Sequence, residues 1–461
     1  MEDKQNSFSF LVDNSSLDKM FMWAKKRIIL GPDPVSGAKN SNLLDKELGG
    51  SITKEGLGWK ETFKLFTNVI VPSTRPFDHP TSLAFVAAAP TPAASSFDAV
   101  LGAAEIFAGN WDGGSGAIHA ENQTLKWIAS LAGWSTDNAG GVFVSGGTLG
   151  NLSALHAARV AYRSLNSKVS DRLCILCSTE AHSSINAIAQ VIDVDLIEIP
   201  SDEFGRIEIK ETQKALEQNK GIFCIVANAG ATNSGAVDDI DTLADLAKLY
   251  NIWLHVDGAY GLAALADFES AKLFSGIERA DSLIVDPHKW LFAPYDSCAL
   301  VYRDSNRGAA AHGQQDHYLD IVDKTTWNPS DFALHLTRRP RGLPLWFSLA
   351  VYGSHAYSTA IKKTIQIANK IAEEIKNINE LELILGPQLT VILFRALKLS
   401  EEELYKWSEK HRRDGSLLCL PTKWKGKTVL RICVVNPNTD PNQVIEVLKT
   451  CLLYTSPSPR D

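Results

Sequence analysis

The chain has 461 residues, of which 45% are hydrophobic and 21% charged, and its formal net charge is −7. This length exceeds what one hydrophobic core usually serves, so we expect a large domain with smaller additions in an ordinary globular protein. The basic residues are scattered and form no stripe, which argues against nucleic-acid binding. No apolar run reaches the ~20 residues that span a bilayer, and the polar N-terminus does not resemble a secretory signal. We therefore predict a cytoplasmic protein without a membrane segment.

The first part of the chain, up to about residue 80, contains short helical patterns interrupted by glycine and proline, and it predicts no sheet. From about residue 140, short apolar runs alternate with helical stretches. Apolar strands separated by helices indicate an α/β fold with a mostly parallel central sheet and helices on both faces. The predicted strands are 141–144, 173–177, 194–199, 222–227, 252–256, 282–285 and 298–302.

After about residue 345 the pattern changes to a long helical stretch, short strand-like runs and a last helix, which predicts a small α+β domain. The last residues are too polar to pack into a core, and their sequence need not be native. The predicted divisions are an N-terminal helical segment (1–80), a large domain (81–345), a small C-terminal domain (346–451) and a disordered tail (452–461).

Several predicted strands are followed by unusual residues, at the edge where open α/β sheets bind ligands. The glycine-rich stretch 145–151 opens a helix, so it could bind a phosphate or be only a tight turn. It is not the loop of nucleoside-triphosphate enzymes, because no Gly-Lys-Ser/Thr follows. His182 enters the next helix, where it could act in a site or merely cap the helix. Residues 229–235 taken alone indicate a polar loop.

Two further strand ends place a charge in apolar surroundings. Asp257 ends the run that begins at Trp253, and a buried carboxylate needs a cation or several donors, as in a site or a structural salt bridge. Lys289 is followed by Trp290, Leu291 and Phe292. Burial disfavours the charged form of a lysine and makes it a nucleophilic amine, although a structural lysine is the alternative.

The order of these motifs resembles the decarboxylases that use pyridoxal 5'-phosphate (PLP) and have the aspartate-aminotransferase fold, a group that includes aromatic-L-amino-acid decarboxylase. The resemblance extends from about residue 70 to 450, and its most specific parts are His255–Tyr260 and Asp286–Trp290. It implies that Lys289 holds PLP as a Schiff base. The implied reaction is decarboxylation of an L-amino acid to the amine and CO2.

The same resemblance implies roles for individual residues. Asp257 would keep the pyridine nitrogen protonated, and His182 would stack on the ring. Gly147 and Thr148 would hold the phosphate, and His288 would lie near the phosphate or the substrate carboxylate. The other cofactor-binding residues implied are Thr232, Ala259 and Asp286.

The polar stretch 305–335 predicts a mobile lid. Within it, residues 315–319 resemble the family's catalytic-loop motif, in which Tyr318 would reprotonate Cα. Relatives with phenylalanine there make aldehydes instead. An aldehyde synthase or another carbon–carbon lyase on the same cofactor therefore remains an alternative, as does a catalytically silent scaffold. A zinc hydrolase lacks the His-Glu-x-x-His spacing that would support it.

Departures from the family pattern leave the substrate open. Asp286 stands where the aromatic decarboxylases tend to carry asparagine, and Ala231 replaces a common threonine. We expect an aromatic substrate ahead of glutamate or diaminobutyrate. Arg338, Arg339 and Arg341 are candidates for an anionic contact. The resemblance also implies a homodimer in which the lid and the N-terminal segment reach across to the other subunit.

Overall fold

Two sheets and the helices packed on them make up most of this computed structural model. The described residues are 13–33, 37–86, 89–166, 172–313 and 327–451. As predicted, the described residues before position 80 form helices and belong to neither sheet. The three N-terminal helices are α1 (Asn14–Leu30), α2 (Ser41–Leu48) and α3 (Gly58–Leu65).

The larger sheet confirms the predicted fold class. Its strands are β1 (Gly140–Val144), β2 (Cys174–Ser178), β3 (Asp195–Ile199), β4 (Ile222–Asn228), β5 (Trp253–Asp257), β6 (Ser282–Val285) and β7 (Cys298–Tyr302). They lie in the order β1-β7-β6-β5-β4-β2-β3. Neighbouring strands are parallel except at β7, which is antiparallel to both β1 and β6.

Helices cover both faces of this sheet, which explains why its strands are apolar throughout. In β1, Phe143 packs into one hydrophobic core, while Val142 and Val144 pack into another on the opposite face. No helix among the described residues is both long and apolar enough to cross a membrane. The helices of this region are α4 (Pro92–Ala104), α5 (Trp111–Leu131), α6 (Gly147–Leu165), α7 (Ser184–Val191), α8 (Ile209–Gln218), α9 (Ile240–Tyr250), α10 (Phe268–Ala271), α11 (Ser305–His312) and α12 (Leu343–Tyr352).

The smaller sheet is antiparallel and has its own core, in which Ile371, Phe394 and Trp407 are fully buried. Its strands are β8 (Leu381–Leu385), β9 (Val391–Ala396), β10 (Leu420–Trp424) and β11 (Lys427–Cys433), and its helices are α13 (Ser354–Lys376), α14 (Glu401–Asp414) and α15 (Pro441–Lys449). The strand order is β10-β11-β9-β8. The exact domain bounds stay a prediction, and the predicted tail lies outside the described residues.

The parallel strands position the candidate site. β2, β4, β5 and β6 pair in parallel, so their carboxyl ends meet at one edge of the sheet. β1 runs in the same direction, because β7 is antiparallel to it and to β6. The segments that follow these strands contain candidate site residues predicted from the sequence.

Candidate functional site

The glycine-rich turn after β1 lies directly against the turns after β5 and β6. A Cβ atom added at Gly147 would lie 3.3 Å from Asp286 Oδ2 and 3.4 Å from Ala259 Cβ. At Gly150, an added Cβ would lie 2.8 Å from Ile284 and 3.0 Å from Cys298 Sγ, so the start of α6 sits tightly on β6 and β7. Only glycine permits this approach without a shift of the neighbouring atoms.

The start of α6 has the properties of an anion-binding site. Helix α6 begins at Gly147 after Gly146, and no described side chain caps its first amide groups. Unpaired N–H groups and the helix dipole both favour a negative charge at this place. The exposed Thr148 adds a hydroxyl group to the same turn.

Lys289 faces a carboxylate from its own turn. Its Nζ lies 2.9 Å from Asp286 Oδ2, and a quarter of its side-chain surface is exposed. Burial lowers the pKa of Lys289, but the Asp286 carboxylate and, more weakly, that of Asp257 outweigh burial, so this pKa is raised. Burial disfavours the charged form of Lys289, as expected from the sequence, but the pairing of its ammonium with Asp286 outweighs burial.

His288 is held between the same carboxylate and the backbone of the following loop. Its Nδ1 lies 2.6 Å from the carbonyl oxygen of Ser297, and its Nε2 lies 3.6 Å from Asp286 Oδ2. Burial lowers the pKa of His288, and the Asp286 carboxylate opposes this shift. The ring of Tyr295 lies against it, with the ring centres 5.1 Å apart.

Asp257 is buried at the end of β5, where two donors meet its carboxylate. Asn151 Nδ2 donates to Oδ2 at 2.9 Å, and the backbone N–H of Ala259 donates to Oδ1 at 3.2 Å. Its charge also acts on Lys289, whose pKa it helps to raise. The carboxylate and the amine therefore lie close enough to interact across the edge of the sheet.

A chain of hydrogen bonds fixes the orientation of Asn151, and its direction can be assigned. Trp253 Nε1 donates to Ser282 Oγ at 2.8 Å, and Ser282 Oγ lies 2.8 Å from His255 Nδ1. The direction follows from the other end of the chain, because Asn151 Nδ2 donates to Asp257 and its Oδ1 therefore accepts from His255 Nε2 at 2.9 Å. The Nδ1 atom of the neutral imidazole then accepts from the Ser282 hydroxyl group. Burial lowers the pKa of His255, which keeps the imidazole neutral as this chain requires.

Ser184 connects His182 to the same chain of hydrogen bonds. Ser184 Oγ lies 2.9 Å from His182 Nδ1, and the backbone N–H of Ser184 donates to this nitrogen at 3.2 Å. Asn151 Nδ2 also lies 3.3 Å from Ser184 Oγ. Nδ1 is thus an acceptor, and the His182 residue is exposed.

The remaining predicted residues are less closely associated with this cluster. Thr232 is exposed in the turn after β4, and no hydrogen bond joins it to the other site residues among those described. Tyr318 lies outside the described residues. The three candidate arginines all pair with carboxylates of this chain: Arg338 with the buried Glu121, Arg339 with Asp98 and Arg341 with Asp296.

The sequence interpretation missed Asn151, Ser184, His255 and Ser282. One signal was available for His255, which lies two residues before Asp257 and therefore on the same face of β5. Asn151 lies four residues after Gly147, one helical turn behind the glycine-rich turn. Its contact with β5 is between distant parts of the chain, and local patterns do not reveal such contacts.

Comparison with known proteins gives this geometry a context. A family model described as the pyridoxal-dependent decarboxylase conserved domain matches residues 46–397. The chain is 31% identical to aromatic-L-amino-acid decarboxylase of Bacillus atrophaeus over 90% of this chain and 89% of the relative. It is 24% identical to L-2,4-diaminobutyrate decarboxylase of Acinetobacter baumannii, over 76% and 75% of the two chains. A crystal structure of Oryza sativa TDC with PLP and tryptamine has the same fold, with a TM-score of 0.90, 22% identity and coverage of 97% and 99% of the two chains.

Replacement of Asn151 by alanine tests whether the chain of hydrogen bonds supports cofactor binding at Asp257. A hydrogen bond to a charged group contributes about 1.5–3 kcal/mol, and a loss of about 1.4 kcal/mol raises a Kd tenfold. We expect Asn151→Ala to raise the Kd for PLP at least about tenfold in a fluorescence titration. The matched control is Asn166→Ala, because Asn166 caps the far end of the same helix by donating to Tyr162 O. Equal Kd values for the two variants would contradict this expectation.

Proposed function

Because the chain belongs to the pyridoxal-dependent decarboxylase family, we propose that it decarboxylates an aromatic L-amino acid to the amine and CO2 through a bond between Lys289 and the cofactor. The protein is a PLP-dependent carboxy-lyase, and its cofactor is PLP. The substrate and the residue roles are our proposal. The observation that carries it is the position of the Lys289 amine and the Asp257 carboxylate beside the uncapped start of α6.

The residues present fit this cofactor. Lys289 offers the amine that an aldehyde requires, and the glycine-rich start of α6 offers free N–H groups to a phosphate. Gly147, Thr148 and His288 border that end of the site, with Ala259 and Asp286 beneath it. Asp257 offers the carboxylate that a protonated pyridine nitrogen requires. Thr232 stays a predicted contact at the rim.

When bound, the cofactor supplies a ring that accepts the electron pair left at Cα as CO2 departs. Asp257 would hold a proton on the ring nitrogen, which strengthens this electron demand. Its charge can be maintained in a buried place because Asn151 and the Ala259 N–H donate to it. His255 lies behind Asn151 and is neutral, because burial lowers its pKa, so it does not compete with the ring nitrogen of the cofactor as a cationic partner of Asp257. The chain of hydrogen bonds thus fixes the orientation of the Asp257 carboxylate.

The choice of reaction depends on which substituent of Cα is held perpendicular to the ring, since only that bond overlaps the extended π-system. His182 would stack on the ring and help to fix the substrate carboxylate. Ser184 forms hydrogen bonds with His182 Nδ1, and these fix the orientation of the His182 ring. The three arginines considered for an anionic contact already form ion pairs with carboxylates of this chain. This supports a different residue as the partner of the substrate carboxylate.

An aromatic substrate is supported by aromatic-L-amino-acid decarboxylase, which is 31% identical over 90% of this chain, whereas cysteine sulfinic acid decarboxylase of Rattus norvegicus is 32% identical over only 59%. Glutamate and diaminobutyrate remain the substrates to be tested beside it. For Tyr318 we propose the reprotonation of Cα. A tyrosine at this place would direct the reaction to the amine, and an aldehyde synthase is the second candidate function.

The surface of the N-terminal helices supports the proposed homodimer. One face of α1 packs on α3, where the ring centres of Trp23 and Phe63 are 6.4 Å apart. Another face leaves Met22 and Ile29 each 67% exposed. No residue of α2 or α3 is buried. An N-terminal segment with so little burial and so much exposed apolar surface suits a second copy of the chain.

Replacing Lys289 by alanine tests the proposed bond to the cofactor. The wild-type protein with PLP should show a visible absorption band that borohydride removes, and Lys289→Ala should lack it. Turnover should fall at least about a thousandfold, as for other residues that bond covalently in catalysis. Lys272→Ala is the matched control, since Lys272 is exposed and pairs only with Glu269 in its own turn. The same band in wild type and Lys289→Ala would refute the proposal.

A product assay separates decarboxylation from aldehyde synthesis. With a panel of aromatic amino acids, glutamate and diaminobutyrate, we expect CO2 and amine in equal amounts from an aromatic substrate. Tyr318→Phe should lower the yield of amine and give aldehyde, ammonia and hydrogen peroxide, with dioxygen as the oxidant. Unchanged products from Tyr318→Phe would remove Tyr318 from the reaction. Aldehyde from the wild-type protein would favour the second candidate.

Sedimentation measurements test the dimer. We expect the wild-type protein to sediment as a dimer, and Met22→Asp with Ile29→Asp to sediment as a monomer, because charges in an apolar interface are costly. The matched control places aspartate at Val191 and Leu249, which are 71% and 73% exposed on helices α7 and α9. A fully active wild-type monomer would argue against the proposed arrangement.

A further inference from the structure

Asp286 places a carboxylate group in a buried position of the site. It is 1% exposed, and its Oδ1 accepts no hydrogen bond from any of the described residues. Its Oδ2 lies 2.9 Å from Lys289 Nζ and would lie 3.3 Å from a Cβ atom at Gly147. A buried carboxylate thus borders the uncapped start of α6, which is where the proposed function places the phosphate.

Lys289 supplies the positive charge that balances this carboxylate. Burial lowers the pKa of Lys289, but Asp286 outweighs this effect and raises it. The titratable groups that face Asp286 come from its own turn, from β5 and from β7, whereas α6 presents Gly147 there. These groups are Lys289, His288, Asp257 and Cys298.

Cofactor binding would change this balance in two ways. Lys289 would bond to the cofactor's aldehyde, so that its nitrogen would no longer be a free ammonium next to Asp286. The phosphate brings up to two negative charges to the start of α6. Like charges brought close together in a partly buried site repel strongly, because their surroundings screen them less than water does. A buried carboxylate in that position relieves the repulsion by taking up a proton.

We propose that Asp286 takes up a proton from solvent when PLP binds and meets the phosphate as a neutral hydrogen-bond donor. This inference rests on the proposed function, which places the phosphate at the start of α6. The orphaned Oδ1 gives Asp286 an oxygen that can carry the proton while Oδ2 keeps its present partners. Since the complex then holds one more proton than its separate parts, the affinity for PLP falls as the pH rises.

The matched variant is Asp286→Asn, which has nearly the same shape, is already neutral and donates through its amide. Calorimetric titration of both cofactor-free proteins with PLP and with pyridoxal, in two buffers of different ionisation enthalpy, gives the number of protons taken up. We expect the wild type to take up about one proton more with PLP than with pyridoxal, which lacks the phosphate, and Asp286→Asn to show no such difference. Between pH 7 and 9, the wild-type Kd for PLP should therefore rise about tenfold more per pH unit than its Kd for pyridoxal.

The phosphorus NMR shift of the bound cofactor locates the proton. We expect a dianionic phosphate in both proteins, because the extra proton resides on Asp286. A monoanionic phosphate in the wild type alone would place the proton on the cofactor and overturn the proposal. Equal wild-type proton counts for PLP and pyridoxal, with parallel pH profiles, would overturn it as well.

Two further measurements separate this inference from the proposed function. If neither protein gives a Lys289-dependent absorption band, the proposed function fails. If the band forms but the proton counts for PLP and pyridoxal are equal, only the role of Asp286 fails. Should Asp286→Asn not fold, the two titrations of the wild-type protein still test the proposal. Greater proton uptake with PLP than with pyridoxal supports the proposal, and equal uptake with both contradicts it.

Discussion

The burial of a charged carboxylate at the end of β5 is the constraint on which the rest of the site depends. An isolated carboxylate in this place would be protonated or would destabilise the fold. Asp257 stays acceptable because Asn151 and the Ala259 N–H donate to it, and because the Lys289 ammonium acts on it. Asn151 can donate in this way only while its oxygen is occupied by His255. The neutral state of one buried histidine is therefore linked to the charged state of the aspartate.

Helix α6 connects the two ends of the site. Its first turn presents free N–H groups to an anion, and Asn151, one turn later, fixes the carboxylate of β5. Both functions need the helix close to the sheet, and the contact of Gly150 with Ile284 and Cys298 sets that distance. A side chain at this position would push the helix away from the sheet and disturb the start of α6 and the Asn151–Asp257 hydrogen bond together.

The sequence predicted the fold and the contributing strand ends well, because those depend on local patterns. Apolar runs separated by helices predicted the parallel sheet, and the parallel sheet brings Gly147, Asp257 and Lys289 to one edge. It did not predict the contacts between elements. Asn151 and His255 are 104 residues apart, so no spacing rule connects them. The effect of Asp286 on the pKa of Lys289 was not predicted for the same reason, since it depends on how the turn folds back on itself.

The proposed bond between Lys289 and the cofactor would change the ion pair of Lys289 with Asp286. A buried ion pair costs much of its attraction in desolvation, and removing one partner leaves an unfavourable charge. Once bonded, Lys289 would no longer be a free ammonium beside Asp286. An asparagine at position 286 would give that ammonium no counter-charge before the cofactor binds. The carboxylate therefore suits the free ammonium, and the proton that we propose on Asp286 would offset the loss of this partner in the complex.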